Sequence, residues 1–189
     1  LPEKIGILQV LRMKDTNHTE FWLRGPVSGV APLLQPVAHA LLQAELEVNE
    51  LMATFPDALL WERPAGVASP GFHLQHLAGV LDRLLTYARG HALNEAQLAD
   101  LAREGSPAEG QATTAQLLNR FNIQIDKALE EVRKTPEEGL VHPRTVGRGK
   151  LPSTVGGLLF HAAEHTQRHT GQLLVTARIL NPQLRQPMQ

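Results

Sequence analysis

The chain has 189 residues, 42% of them apolar, and its 18 basic and 19 acidic side chains give a formal net charge of −1. That balance, with 4% aromatics, lacks the basic stripe and stacking surfaces of a nucleic-acid binder, while the apolar content suffices for one packed core. Cysteine is absent, so disulfides, thiolate–metal sites and cysteine nucleophiles are excluded, and strong metal ligation falls to His and carboxylates.

The longest early apolar run, "IGILQVL", is broken by Gln9 and falls far short of the roughly 20 residues a membrane-spanning helix needs. It has no cleavage pattern after it, so the expectation is a cytoplasmic protein with no membrane partner. "MKDTNHTEF" at Met13 reads as a plausible start, with residues 1–12 as an extension. The expected organisation is a weakly structured N-terminal extension over 1–25, one helical domain over 26–183 and a tail over 184–189.

Four segments carry a helical apolar period. The first runs from about Leu33 to Thr54, with Leu34, Val37, Ala38, Leu41 and Met52 on its stripe and Pro56–Asp57 ending it. The second starts at an N-cap, Ser69, followed by Pro70 at the first helical position, and stops at Gly90. Its face runs through Phe72, Leu77, Val80, Leu81, Leu84 and Ala88. Residues 91–112 are polar, with one short amphipathic piece, "EAQLADLAREG". The third helix spans about Thr114–Lys134, and Pro136 ends it. The loop "EEGLVHPRTVGRGKLP" follows, and the fourth helix, capped by Ser153 or Thr154, runs to Leu180. No strand alternation of similar strength is present, so the fold expected is all-α: an antiparallel four-helix bundle with long 2–3 and 3–4 connections.

Three of the nine histidines, His161, His165 and His169, recur at intervals of four on the fourth helix. His165 and His169 lie one turn apart on the apolar face, among Leu158, Ala162, Leu173 and Ala177, so they point into the bundle. His161 is rotated away and suits a helper of the pair better than a ligand. His73 and His76, near the start of the second helix, supply a facing imidazole. One His from there and two from the fourth helix form an open three-nitrogen site. Against this stands a plainer reading, hydrogen-bonded core histidines, since each buried ring needs partners. His18, His39, His91 and His142 have no such company and read as surface residues.

Sharper motifs fail. "HTQRH" places Thr166 where a zincin carries its Glu, and no Glu precedes any His by three, as a di-iron bundle requires. Glu164 reads as the outward partner of Arg168 at i+4. Arg144, Arg148 and Lys150 read either as an anion clamp near the open site or as a solvated basic loop, and Trp61 and Tyr87 as core or rim packing.

The stretches "GFHLQHLAGVLDRLLTYARG", "RTVGRGKLPSTVGGLLFHAAEH" and "HTQRHTGQL", in this order over about residues 30–180, resemble the DinB superfamily of four-helix bundles. The His169-Thr170-Gly171-Gln172 ending, with His165 four residues earlier, is similar to that family's last-helix signature. The resemblance implies a divalent ion (zinc first, nickel or iron otherwise) on His76, His165 and His169, with His73 as the alternative from the second helix. It also implies a small-molecule enzyme, either a transferase using a low-molecular-weight thiol cosubstrate or a metal-dependent hydrolase. A non-catalytic metal-binding module, possible as a homodimer, is the competing class.

Overall fold

The computed structural model describes residues 19–107 and 112–184. The expectations for residues 1–12 and His18 lie outside the described residues. Among the described residues, five α-helices and one hairpin form in chain order: α1 (Gln35–Met52), α2 (Pro70–Ala88), α3 (Glu95–Arg103), α4 (Thr114–Lys134), β1 (Pro143–Val146), β2 (Leu151–Thr154) and α5 (Val155–Leu180).

The caps are local and legible. Ser69 Oγ accepts from Phe72 N at 3.2 Å and opens α2. Thr154, of the two candidates, caps α5 by accepting from Gly157 N at 3.0 Å. Gly90 closes α2 with a φ of 82°, a conformation that favours glycine. At roughly 1.5 Å per residue the 26-residue α5 is about 40 Å long and spans the bundle.

The four long helices enclose one apolar core, with Leu41, Leu74, Leu77, Leu81, Phe121, Ile125, Leu129, Leu159 and Leu173 almost fully buried. Both α1 and α2 pack on α4 and α5, which places α1 and α2 on one diagonal of the bundle. Asp57, in the connection tied to the start of α2 by a hydrogen bond from Gly71 N to Leu60 O, accepts from Thr114 N at the start of α4, and Arg89, just after α2, reaches Glu131 near the end of α4. So α2 and α4 run side by side in the same direction, which only a long connection permits. That connection carries α3. Of the other neighbour pairs, α1 with α4 and α2 with α5 are antiparallel, and α1 and α5 run in the same direction.

Three segments depart from expectation. The loop before α5 holds a two-stranded antiparallel hairpin, with Pro143 opposite Thr154 and Val146 opposite Leu151. It escapes a pattern search because neither strand has a buried face. Residues 19–25, expected to be weakly structured, fold onto α1. There Phe21 N donates to Gln43 Oε1 at 3.1 Å, and the Arg24 guanidinium lies 4.1 Å over the Phe21 ring. Finally, Leu184, expected in the tail, ends a short 3-10 turn and packs against the core.

Candidate metal centre

Because α2 and α5 are antiparallel and start at opposite ends, the first two turns of α2 meet the middle of α5. His73 then faces His169, and His76 faces His165. The Nδ1 atoms of His73 and His169 are 3.2 Å apart, and the Nε2 atoms of His76 and His165 are 2.9 Å apart. The rings of His76 and His169 come within 4.3 Å of each other, and those of His165 and His169 within 4.7 Å, measured between centroids. Phe72 lies flat on His76, 5.3 Å away at 11°.

His76, His165 and His169 each offer a nitrogen lying within 4.8 Å of the others. Of the two histidines on α2, His76 lies in this group, while His73, only 3% exposed, lies against His169 from one turn earlier. His161, Glu164 and His165 form a second such group on α5 alone. There His161 is half-exposed and donates from Nδ1 to Glu164 Oε2 at 3.1 Å, and the other Glu164 oxygen accepts from Arg168. Glu164 is therefore an outward ion-pair partner, as expected.

Two residues that sequence reasoning passed over complete the centre. Glu104, just past the end of α3, accepts from His76 Nδ1 at 2.7 Å through Oε2 and from Arg83 Nη1 at 2.5 Å through Oε1. Arg83 did leave a signal: it sits seven residues after His76, two turns along the same face of α2, where a charged residue interrupts a buried stripe. Glu104 left none, since only the path of the 91–112 connection brings it there.

Burial and mutual repulsion hold His73, His165 and His169 below the usual histidine range. Burial lowers the His73 pKa to about 4, helped by a charge on His76. Burial likewise lowers His169 to about 4, with repulsion from His76, His165 and His73 adding to it. His165 is lowered too, first by burial and then by His76. Burial alone would raise the Glu104 carboxyl, but hydrogen bonds from His76 and Arg83 together outweigh it and hold the group below the usual carboxylate range.

Does this donor set suit a metal ion? With the Nδ1 hydrogen of His76 on Glu104, its Nε2 accepts from His165 Nε2, and the other nitrogen of His165, Nδ1, is left buried with no hydrogen-bond partner. Imidazole nitrogens facing each other at 2.9 Å need a proton or a cation between them, and a set of neutral imidazoles suits a borderline divalent ion. No carboxylate joins the three-His group among the described residues, so its donors are neutral. The residues fit a divalent ion.

The remaining candidates sit elsewhere. Arg144 donates through Nε to Ala88 O at 2.7 Å, at the far end of α2 from His76. Twelve residues of helix, roughly 18 Å, separate that carbonyl from His76, so Arg144 caps a helix and the anion clamp expected near the site is corrected for it. Arg148 and Lys150 are exposed in the hairpin turn. His91 and His142 are exposed, His39 meets Gly25 O at 2.9 Å on the surface, and Trp61 and Tyr87 pack half-buried on the core. Beside Glu104 lies a cleft of about 530 Å3, lined among others by Gln75, Asp100, Arg103, Ser106 and Arg120. Among the described residues no helix is long and apolar enough to cross a membrane.

The sequence profile of the DinB superfamily matches residues 40–173, which runs from within α1 to the last third of α5 and takes in every histidine of the cluster. No curated protein matches the chain.

Proposed function

The chain belongs to the DinB superfamily, and from that premise we propose that it binds one divalent metal ion, zinc first, through His76, His165 and His169. We further propose that it acts there on a small molecule, as a thiol-dependent transferase or a hydrolase. The observation that carries this is the convergence of three imidazoles from two helices with no acidic ligand among them. Neutral donors leave most of an ion's charge for whatever occupies the open position. A divalent ion there supplies charge that brings a water pKa to roughly 7 or keeps a thiol ionised.

The chain's own residues do the rest. His73, His165 and His169 stay unprotonated at neutral pH and so keep lone pairs available. Phe72 excludes water from one face of His76. His161 stands at the exposed rim, its ring 5.1 Å from that of His165. With its Nδ1 engaged by Glu164, its Nε2 is the atom that takes a proton from an incoming nucleophile. Transfer from a thiol and hydrolysis are both carried forward; in the first, the sulfur comes from a cosubstrate, since the chain has no cysteine.

Elemental analysis of untagged protein, wild type beside His165→Ala, is the test. The expected result is about one equivalent of divalent metal, lost in the variant while the helical circular-dichroism signal persists. Screens of thiol cosubstrates against electrophiles, with simple esters and amides as controls, then separate transferase from hydrolase. Absence of metal from both proteins, after incubation with zinc or nickel, overturns the reading. Metal without turnover in either screen favours the non-catalytic module.

A further inference from the structure

A neutral imidazole that ligates through one nitrogen carries its hydrogen on the other, and a free ring exchanges both tautomer and orientation. His76 comes from a different helix than its two companions, so an error in its ring angle directly opens the group. Its surroundings restrict it from three sides. Glu104 Oε2 takes the Nδ1 hydrogen at 2.7 Å, Phe72 lies parallel to the ring, and Nε2 points at His165.

Glu104 is itself held with unusual care. Arg83 grips its other oxygen, and the two carboxylate partners and the carboxylate have side chains only 9–16% exposed. Gly79 lies on α2 between His76 and Arg83. A Cβ there would fall well inside contact distance of both Glu104 Oε1 and Arg83 Nη1, so the missing side chain is the notch in which the ion pair sits. The residues after Glu104 are sewn to α2 as well: Gly105 N donates to Gln75 Oε1 at 2.8 Å, and Gln75 Nε2 donates to Ser106 O at 3.1 Å.

A simple anchor for α3 would need only the Glu104–Arg83 pair, and buried ion pairs are weak sources of stability. The second oxygen, spent on a ring in the three-His group, calls for a different account. We propose that Glu104, clamped by Arg83 over Gly79, is a positioning residue. It fixes the Nδ1–H tautomer and the ring angle of His76, and so sets the metal affinity of the centre from outside it. This rests on the metal-binding reading above.

The experiment has two arms. In the first, zinc affinity is measured by competition with a chromophoric chelator for wild type, Glu104→Ala, Glu104→Gln, Arg83→Met and Gln97→Ala. The last loosens α3 without touching the pair. Loss of about 10- to 100-fold is expected for Glu104→Ala, a smaller loss for Arg83→Met, and none beyond about twofold for Gln97→Ala. Glu104→Gln, whose amide oxygen still accepts from Nδ1, should recover part of the loss. A folded Glu104→Ala protein within about twofold of wild type overturns the proposal, as does an equal loss in Gln97→Ala.

In the second arm, imidazole nitrogen chemical shifts are recorded on metal-free protein. His76 should be protonated at Nδ1 in wild type and a mixture of tautomers in Glu104→Ala. A wild-type His76 protonated at Nε2 overturns the proposal. If wild type binds no zinc, the metal reading falls, and the tautomer arm alone decides whether Glu104 positions the ring.

Discussion

Helices α3 and α4 begin alike and are held in opposite ways. Asn94 and Thr113 each accept from the backbone three residues on, and Gln97 and Gln116 each reach back to the cap, a full capping box in both. From there α4 buries Leu117, Phe121, Ile125, Ala128, Leu129 and Val132 between α1 and α2. In α3 no residue is buried, and Leu98 and Leu101 remain more than 40% exposed. What holds α3 is polar: Gln97 Nε2 donates to Asp82 Oδ2 at 2.7 Å and to Thr86 Oγ1 at 2.8 Å, and Glu104 docks on Arg83 and His76. One helix supports the fold, and the other delivers a carboxylate to the centre.

The largest effect that separates them lies in α4. Phe121→Ala removes a fully buried ring from between three helices and should cost about 3–5 kcal/mol, read as a fall in the urea midpoint. Leu101→Ala in α3 should leave that midpoint within about 0.5 kcal/mol, since its side chain is already exposed. A comparable loss from both would mean that α3 belongs to the core.

Acid acts next in size, and on the histidine cluster rather than on α4. In metal-free protein His73 and His169 titrate near 4 when folded and near 6.5 when unfolded. Between those values the unfolded chain binds more protons, so stability is full above about pH 6.5 and is lost as pH falls toward 4. For the well-buried His73 the loss should be on the order of 2 kcal/mol after allowing for screening. Urea titrations at pH 7.5 and 4.5 measure it, and His73→Leu should flatten the difference. An equal fall in that variant would place the acid sensitivity elsewhere.

The same contrast explains what the sequence makes legible. Apolar stripes repeat at 3.6 residues and caps are read within three, so all four long helices, the Ser69 cap and the inward turn of His165 and His169 are visible in the order of residues alone. The hairpin is not, because PRTV and LPST are four residues each with no fully buried position, and their apolar residues do not alternate with polar ones. Arg144 misleads for a related reason: its basic loop has the composition of an anion site, but its guanidinium is committed to the end of α2. Glu104 is invisible because its partners lie 21 and 28 residues back in the chain, and single polar contacts at such separations obey no period. The apolar scaffold is thus written locally, while the outer support of the histidines is written in the path of a connection.

The smallest effect makes the finest distinction. Thr113→Ala and Asn94→Ala delete the same cap from two helices, and in isolation each costs about 1 kcal/mol of helix stability. In α4 that cost is felt by the whole molecule, because α4 cannot unfold without exposing Phe121 and Leu129; the urea midpoint should drop accordingly. In α3 the exposed side chains allow the helix to open by itself, so Asn94→Ala should leave the midpoint unchanged and appear only as faster hydrogen exchange at the amides of residues 98–103. If Asn94→Ala instead lowers the global midpoint as much as Thr113→Ala does, α3 and the bundle unfold as one unit. The polar contacts of Gln97 and Glu104 would then hold as firmly as an apolar stripe.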